Sequence, residues 1–458
     1  MSKTPEIFKI RDLSIDDVPI EKIEQKNQTY NDCDAEWWEK IDQILEKTEF
    51  LPLDKIYTST DAISSDRVRH HGDNLNHARR AAEAHRRIRK ELMDLQPGTP
   101  YNFICTLVQQ MTTKMLKGEK NDGLGFPTGI SVNDCAAHYS SNLKVADKKD
   151  DQIKKETQST LIRQSVFSSK VNDEVIKSSD VIKIDYGCHS NGNIIDSAFT
   201  LIWDDKFRPI LNASKEATNK AINYLGVDCL VSEIGREISE VIGSYEMEID
   251  GQMLPIQAVK NLNGHSIAPY IIHAGISIPN IYDEYNNQRL KSDTFYALET
   301  FATTGNGIVR DGPNSTHFML GKRNTLPADP FNKKILETIK EKIGTLPFSQ
   351  RFVKRILLNE KIVTIESDEK NSNIYKTTEN IENDKKQKKA KNKNNFNFAD
   401  HLSFNKALIT ALSSLTALKI LDGYPPLYDN PRSTVSQFEH TIWLDEHGKE
   451  IVSKGMDY

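Results

Sequence analysis

Two rhythms run along this chain: strand-like apolar runs, several interrupted by one acid or imidazole, and stretches of helical spacing. Residues 181–187 (VIKIDYG) and 194–202 (IIDSAFTLI) are β-branched and aliphatic runs. The segment between them, CHSNGN, carries Asn191-Gly192, the dipeptide of a tight hairpin turn. The pattern predicts an antiparallel hairpin with Asp185 on one strand and Asp196 on the other. TFYALETFATTG (294–305) and TVSQFEHTIWL (434–444) predict two further strands containing Glu299 and Glu439, with His440 on the face opposite Glu439. NLNGHSIAPYIIHAG (261–275) reads as one Gly-bounded, strand-like stretch holding His265 and His273. Helical spacing marks 78–94 and 106–116, and again 212–225 and 233–244, each pair joined through a Gly-containing turn. These two helix–turn–helix units, about 130 residues apart, predict two related α/β halves. A last helical face runs through Phe404, Leu408, Ala411, Leu412, Leu415 and Leu418.

A carboxylate in a buried strand is costly unless something offsets its charge. Asp185, Asp196, Glu299 and Glu439 converging with the imidazole of His265 would form a ligand set for two hard or borderline divalent cations. The chain therefore reads as a dinuclear metal hydrolase. Taken singly, each acid could decorate an exposed edge strand, and a lone histidine is more often a core residue than a ligand. The whole set, each member in a run of strand composition, fits those readings poorly.

Composition narrows the class further. The 458 residues accommodate up to about three average domains, although one large α/β domain with extensions also fits. The formal charge of −5, from 60 basic and 65 acidic residues, gives no pull toward nucleic acid or membrane. Five scattered cysteines (Cys33, Cys105, Cys135, Cys188, Cys229) argue against a disulfide framework, and Cys135 is read as packing. No signal-peptide core and no run of about 18 apolar residues occurs, so a cytoplasmic location is expected. Residues 144–160 and 359–400 read as disordered insertions. The lysines from Lys385 to Lys393 are read as part of a solvated loop, with a basic patch for RNA or a nuclear signal as the alternative.

Further motifs are GFPTGISVNDCAAHY (125–139), GHSIAPYIIHAG (264–275), ALETF (297–301), STHF (315–318), YPPL (424–427) and QFEHT (437–441). Together with the two-aspartate hairpin they resemble the type 2 methionine aminopeptidases, over roughly residues 45–355 and 400–458. The type 2 assignment leans on the long segment between Glu299 and Glu439. The resemblance implies an α/β pita-bread fold: a pseudo-two-fold antiparallel sheet flanked by helices, with a helical subdomain inserted. It divides the chain into an extension (1–45), a catalytic domain (46–345), a helical subdomain (346–423) and a returning catalytic segment (424–458).

The resemblance also implies roles. Asp185, Asp196, His265, Glu299 and Glu439 would hold two divalent ions (cobalt, manganese, iron or zinc), with Asp196 and Glu439 bridging. An activated solvent shared by the cations would attack the scissile carbonyl, with Glu299 as proton acceptor. His138 and His273 would contact the reacting amide. Phe126, Ile272, His317 and Tyr424 would line the methionine pocket. Leu346-Pro347-Phe348 departs from the family pattern, which has alanine in the middle, and puts the pocket rim in question. The implied activity is removal of the initiator methionine from nascent chains when the second residue is small, by a monomer that engages neither DNA nor membrane. Ribosome association is a further expectation, although the first forty-odd residues lack the long charged runs of some eukaryotic relatives. The alternatives are an inactive pita-bread protein that binds RNA or protein, and a proline-specific aminopeptidase of the same fold.

Overall fold

The computed structural model describes residues 35–53, 73–116, 122–141, 174–365, 396–398 and 401–456. Helix α1 (Ala35–Glu46) precedes α2 (Asp73–Met93) and α3 (Tyr101–Leu116), followed by strands β1 (Gly123–Val132), β2 (Cys135–Ala137), β3 (Val181–Ser190) and β4 (Asn193–Ile202). Strands β1, β3 and β4 form one antiparallel sheet in that order, and α2 and α3 pack on it. The expected β3–β4 hairpin is present. Asn191 (φ +47°) and Gly192 (φ +78°) both take the left-handed backbone that a two-residue hairpin loop requires.

The second half repeats the plan with α4 (Arg208–Tyr224), α5 (Val231–Gly243), β5 (Asn263–Ile267), β6 (Ser277–Pro279) and β7 (Thr294–Thr303). The chain then passes through β8 (His317–Leu320), α6 (Pro330–Lys342), β9 (Phe348–Ser349), α7 (Gln350–Asn359), α8 (His401–Ala417), β10 (Leu421–Tyr424) and β11 (Leu427–Tyr428). It returns as β12 (Val435–Asp445) and β13 (Gly448–Ile451), completing an antiparallel sheet of order β13-β12-β7-β5-β6.

Side-chain hydroxyls join the two sheets where β4 meets β12. Thr200 Oγ1 donates to Gln437 O (2.8 Å) and accepts from Gln437 N–H (2.9 Å). Ser197 Oγ donates to Glu439 O (2.8 Å), while Thr441 Oγ1 donates to Asp196 O and accepts from Asp196 N–H, both at 2.7 Å. These bonds satisfy strand-edge groups that would otherwise be buried unpaired. The result is the pseudo-two-fold, helix-flanked pita-bread arrangement.

Three expectations change. The stretch 261–275 is not one strand: β5 stops at Ile267, and Ala268 and Ile271 exchange hydrogen bonds (2.9 and 2.8 Å) around Pro269-Tyr270. Tyr270 takes φ +61°, which turns the chain and carries His273 onto a loop. Leu418 lies beyond the end of α8 and is 44% exposed, so it does not share the buried face of Phe404 and Leu408. The ends of the 359–400 stretch are ordered. Val363–Ile365 pairs in parallel with Phe396–Phe398, and the rings of Phe396 and Phe398 pack against Phe331, that of Phe398 also against Phe404. Residues 142–173 and 366–395, which include insertion 144–160 and the Lys385–Lys393 run, lie outside the described residues, as do 1–34 with Cys33.

Residues 35–45, counted with the extension, belong to a docked helix that ends at Glu46. Trp37 meets Phe103 at 4.9 Å between ring centroids, and Lys114 Nζ donates to Leu45 O. The four described cysteines are free, with Cys135 buried as expected of packing. Among the described residues no helix is long and apolar enough to cross a membrane.

Candidate metal centre and substrate pocket

The strand ladders place the acids. Asp185 on β3 lies opposite Ala198, and Gly187 lies opposite Asp196 on β4, so the two aspartates are diagonal neighbours on one face. Glu299 on β7 is directly opposite Glu439 on β12. Two carboxylates facing each other across a ladder repel, and here two more approach from the adjoining sheet. His265 extends from β5 with Nε2 3.5 Å from Asp196 Oδ2. Ligand atoms of Asp196, His265 and Glu439 all lie within 4.8 Å of one another. Asp185, Asp196, His265, Glu299 and Glu439 line one cavity of about 100 Å³ with His138, His273, Phe126, Ile272, His317 and Tyr424. Every site residue inferred from the sequence therefore faces a common space.

The electrostatics are those of a cation site. Asp196, His265 and Glu439 are buried, and Asp185 and Glu299 half-buried. Burial, followed by repulsion from neighbouring acids, pushes Asp196, Glu299 and Glu439 well above the usual carboxylate range; burial raises Asp185 as well. Asp185 Oδ1 is buried with no hydrogen-bond partner among the described residues. Among the described residues no lysine or arginine lines the cavity. Oxygen donors with one imidazole, short of positive charge and holding an unpartnered oxygen, fit divalent cations.

The imidazoles are shaped locally. His138 follows β2 with φ +63°, a left-handed backbone in which histidine is enriched. Thr316 Oγ1 donates to His138 O at 2.6 Å and lies 3.0 Å from His317 Nδ1, tying the two histidines together. His317 is flanked in its sheet by Ser349 and Tyr424. Its ring lies 5.9 Å from that of His138, and the Tyr424 ring lies 6.0 Å from His138. Burial lowers His138 to about 4 and His265 to about 3, the nearby His273 adding to both; burial likewise lowers His273. Burial, then His138, lowers His317 to about 3. All four are neutral at pH 7. His273 is exposed at the rim, its ring 4.2 Å from that of His265.

Two contributors were not singled out from the sequence. Gln437 Nε2 donates to Glu299 Oε2 at 3.2 Å. Its position two residues before Glu439 in an alternating strand puts it on the same face, a signal that could have identified it. Thr316, inside the STHF motif, had no such periodic cue. Pro347, where the chain departs from the family pattern, lines the cavity.

Residues 76–319 match metallopeptidase family M24. A protein of Encephalitozoon hellem, "Methionine aminopeptidase 2", is 37% identical over 90% of this chain and 96% of its own length. The Saccharomyces cerevisiae "Methionine aminopeptidase 2" is 34% identical over 84% of this chain and 76% of its own. Among solved structures, a thermophilic Arx1 aligns with a TM-score of 0.58 at 15% identity, covering 85% of this chain and 91% of that one, a likeness of fold alone. Paired acids on two abutting sheets and matches running through most of the chain agree: it belongs to metallopeptidase family M24, in the methionine aminopeptidase 2 group, and is a metalloaminopeptidase that uses divalent metal ions.

Proposed function

We propose that the chain removes N-terminal methionine from new polypeptides whose second residue is small, with two divalent cations held by Asp185, Asp196, His265, Glu299 and Glu439. One observation carries the reading: four carboxylates and an imidazole, with no lysine or arginine beside them among the described residues, share a cavity with an aromatic and aliphatic wall. Bound cations would supply the charge that keeps the acids ionised, polarise the scissile carbonyl and lower the pKa of water toward 7. Asp196 and Glu439, whose ligand atoms lie within 4.8 Å of one another and of His265, would contribute to holding both cations, as the resemblance implies. Glu299, steadied by Gln437, takes the proton of the attacking water and returns it to the departing amine. His138 and His273, neutral at pH 7, donate N–H to the carbonyl oxygen as it gains charge. Phe126, Ile272, His317 and Tyr424 close around the methionine side chain.

The test pairs elemental analysis with a peptide series. Purified protein should carry up to two divalent ions per chain and, after chelation and metal return, release methionine from Met-Ala and Met-Gly peptides. Cleavage before proline alone, or silence with cobalt, manganese, iron and zinc, would refute the proposal.

A further inference from the structure

Tyr270 does not line the methionine pocket, yet it is held from several sides. Its N–H donates to Gly192 O at the tip of the β3–β4 hairpin (2.8 Å). Its carbonyl accepts from Thr345 Oγ1 (2.6 Å), two residues before Pro347. Its ring covers Gly192 so closely that a Cβ there would fall 2.3 Å from ring carbons, and it meets the ring of His189 edge-on at 5.9 Å between centroids.

The backbone at Tyr270 is left-handed, at φ +61°. The other non-glycine residues in that region among those described are Asn, Asp, His, Lys or Arg, so Tyr270 is the one with a phenolic ring. Such a backbone persists when its surroundings over-determine it. The elements it joins have separate tasks. Gly192 ends the hairpin that carries Asp185 and Asp196. Tyr270 leads directly into Ile272 and His273, and Thr345 leads into Pro347; all three of those residues line the cavity.

From this geometry we propose that Tyr270 is a positioning residue that fixes the spacing between the Ile272–His273 wall and the Pro347 wall, and so the fit for methionine. The inference rests on the pocket assignment made above. Shifting either wall changes how tightly the side chain is gripped more than it changes the carboxylates, whose places are set by the ladders.

The experiment is a cycle with Thr345→Val, Tyr270→Asn and the double variant, with Thr345→Ser as the conservative rescue. Asparagine tolerates the left-handed backbone but removes the ring. Each metal-loaded protein is assayed on a Met-Ala peptide and titrated calorimetrically with L-methionine, with metal content and melting temperature recorded alongside. Thr345→Val should raise KM and the methionine dissociation constant about three- to ten-fold, with kcat within two-fold and metal content unchanged. Thr345→Ser should restore both, and the double variant should fall short of the product of the single effects, because both act on one loop. Equal methionine affinity in wild type and both single variants overturns the positioning role of Tyr270 alone. A loss of kcat in step with lost metal also overturns it, by making Tyr270 a support of the hairpin. Wild-type protein that binds no methionine overturns the pocket assignment and the positioning role of Tyr270 with it.

Discussion

Gly187→Ala tests the pocket wall from beneath. Gly187 lies in β3, opposite Asp196 on one side and Phe126 on the other. The ring of Phe126 fills the space a side chain would take: a Cβ built on Gly187 would sit 2.4 Å from both Cδ1 and Cε1, and 3.2 Å from Ile195 O. Ordinary carbon contacts are about 3.5–4.0 Å, so the ring must retreat by roughly 1 Å or more. Overpacking of this kind costs about 1–3 kcal/mol, which predicts a melting temperature lower by several degrees. Phe126 also lines the cavity, so its displacement reshapes the wall against the substrate side chain. If about 1.4 kcal/mol of that cost appears as lost substrate binding, kcat/KM on a Met-Ala peptide falls about ten-fold, mainly through KM. Metal content should stay at the wild-type level, because the backbone ladder that fixes Asp185 and Asp196 is kept. Adding Phe126→Leu, which replaces the ring with a smaller aliphatic side chain, should recover part of the lost melting temperature. Wild-type KM in Gly187→Ala, or a kcat loss that tracks lost metal, would refute this account of the wall.

The other predictions address the chemistry and the scaffold. Glu299→Gln should lower turnover by at least about two orders of magnitude with the fold intact by circular dichroism, and a rate within ten-fold of wild type would remove it as the proton acceptor. His85 is fully buried, stacked on Tyr186 at 4.0 Å, with Nε2 shared between the carbonyls of Tyr186 and Ser197 (3.1 Å each), and burial then Arg89 hold its pKa well below 6.5. Folded protein keeps it neutral while the unfolded chain binds a proton below pH 6.5, so this residue removes stability as pH falls, by about 1.4 kcal/mol per unit. The stability gap between metal-free wild type and His85→Gln, from urea midpoints, should therefore narrow between pH 6.5 and 5.5; a constant gap counts against a neutral buried ring. Arg79 forms a buried two-pronged pair with Glu450 (3.0 and 2.7 Å), so Arg79→Met should cost about 3–5 kcal/mol by leaving Glu450 unpaired. Arg79→Met with Glu450→Met should regain most of that in chemical denaturation, and no recovery would mean the loss lies in packing.

The metal ladder was legible because local pattern and chemistry coincide there. An apolar run, Asn191-Gly192 and a second apolar run specify a hairpin and its register together, and the register decides that Asp185 and Asp196 share a face. Glu299 and Glu439 were readable as acids in strands, but their direct opposition was not, since 140 residues separate them and pairing at that range leaves no periodic trace. The parallel pair of Val363–Ile365 with Phe396–Phe398 was hidden for the same reason, inside a stretch whose composition suggests no core. The loop after β5 misled in the opposite direction. Ala268-Pro269-Tyr270-Ile271 is apolar enough to extend a strand, whereas the reversal depends on a left-handed Tyr270 that Gly192 and Thr345, from distant parts of the chain, help hold in place.

That contrast separates the two parts of the active centre. The carboxylates stand on paired strands, where a ligand moves only if a ladder shifts, and the hydroxyls of Ser197, Thr200 and Thr441 close the seam between the sheets beside them. Part of the cavity wall, Phe126, His317 and Tyr424, stands on paired strands too, whereas Ile272, His273 and Pro347 come from segments next to Tyr270 and Thr345, which are tied to each other and to Gly192 by single hydrogen bonds. Repulsion among four acids acts on the rigid part, where the geometry can withstand it until cations arrive. On the proposed pocket assignment, exchanging one side chain of the loop part should alter the grip on methionine and leave the strand-borne acids where the sheets put them.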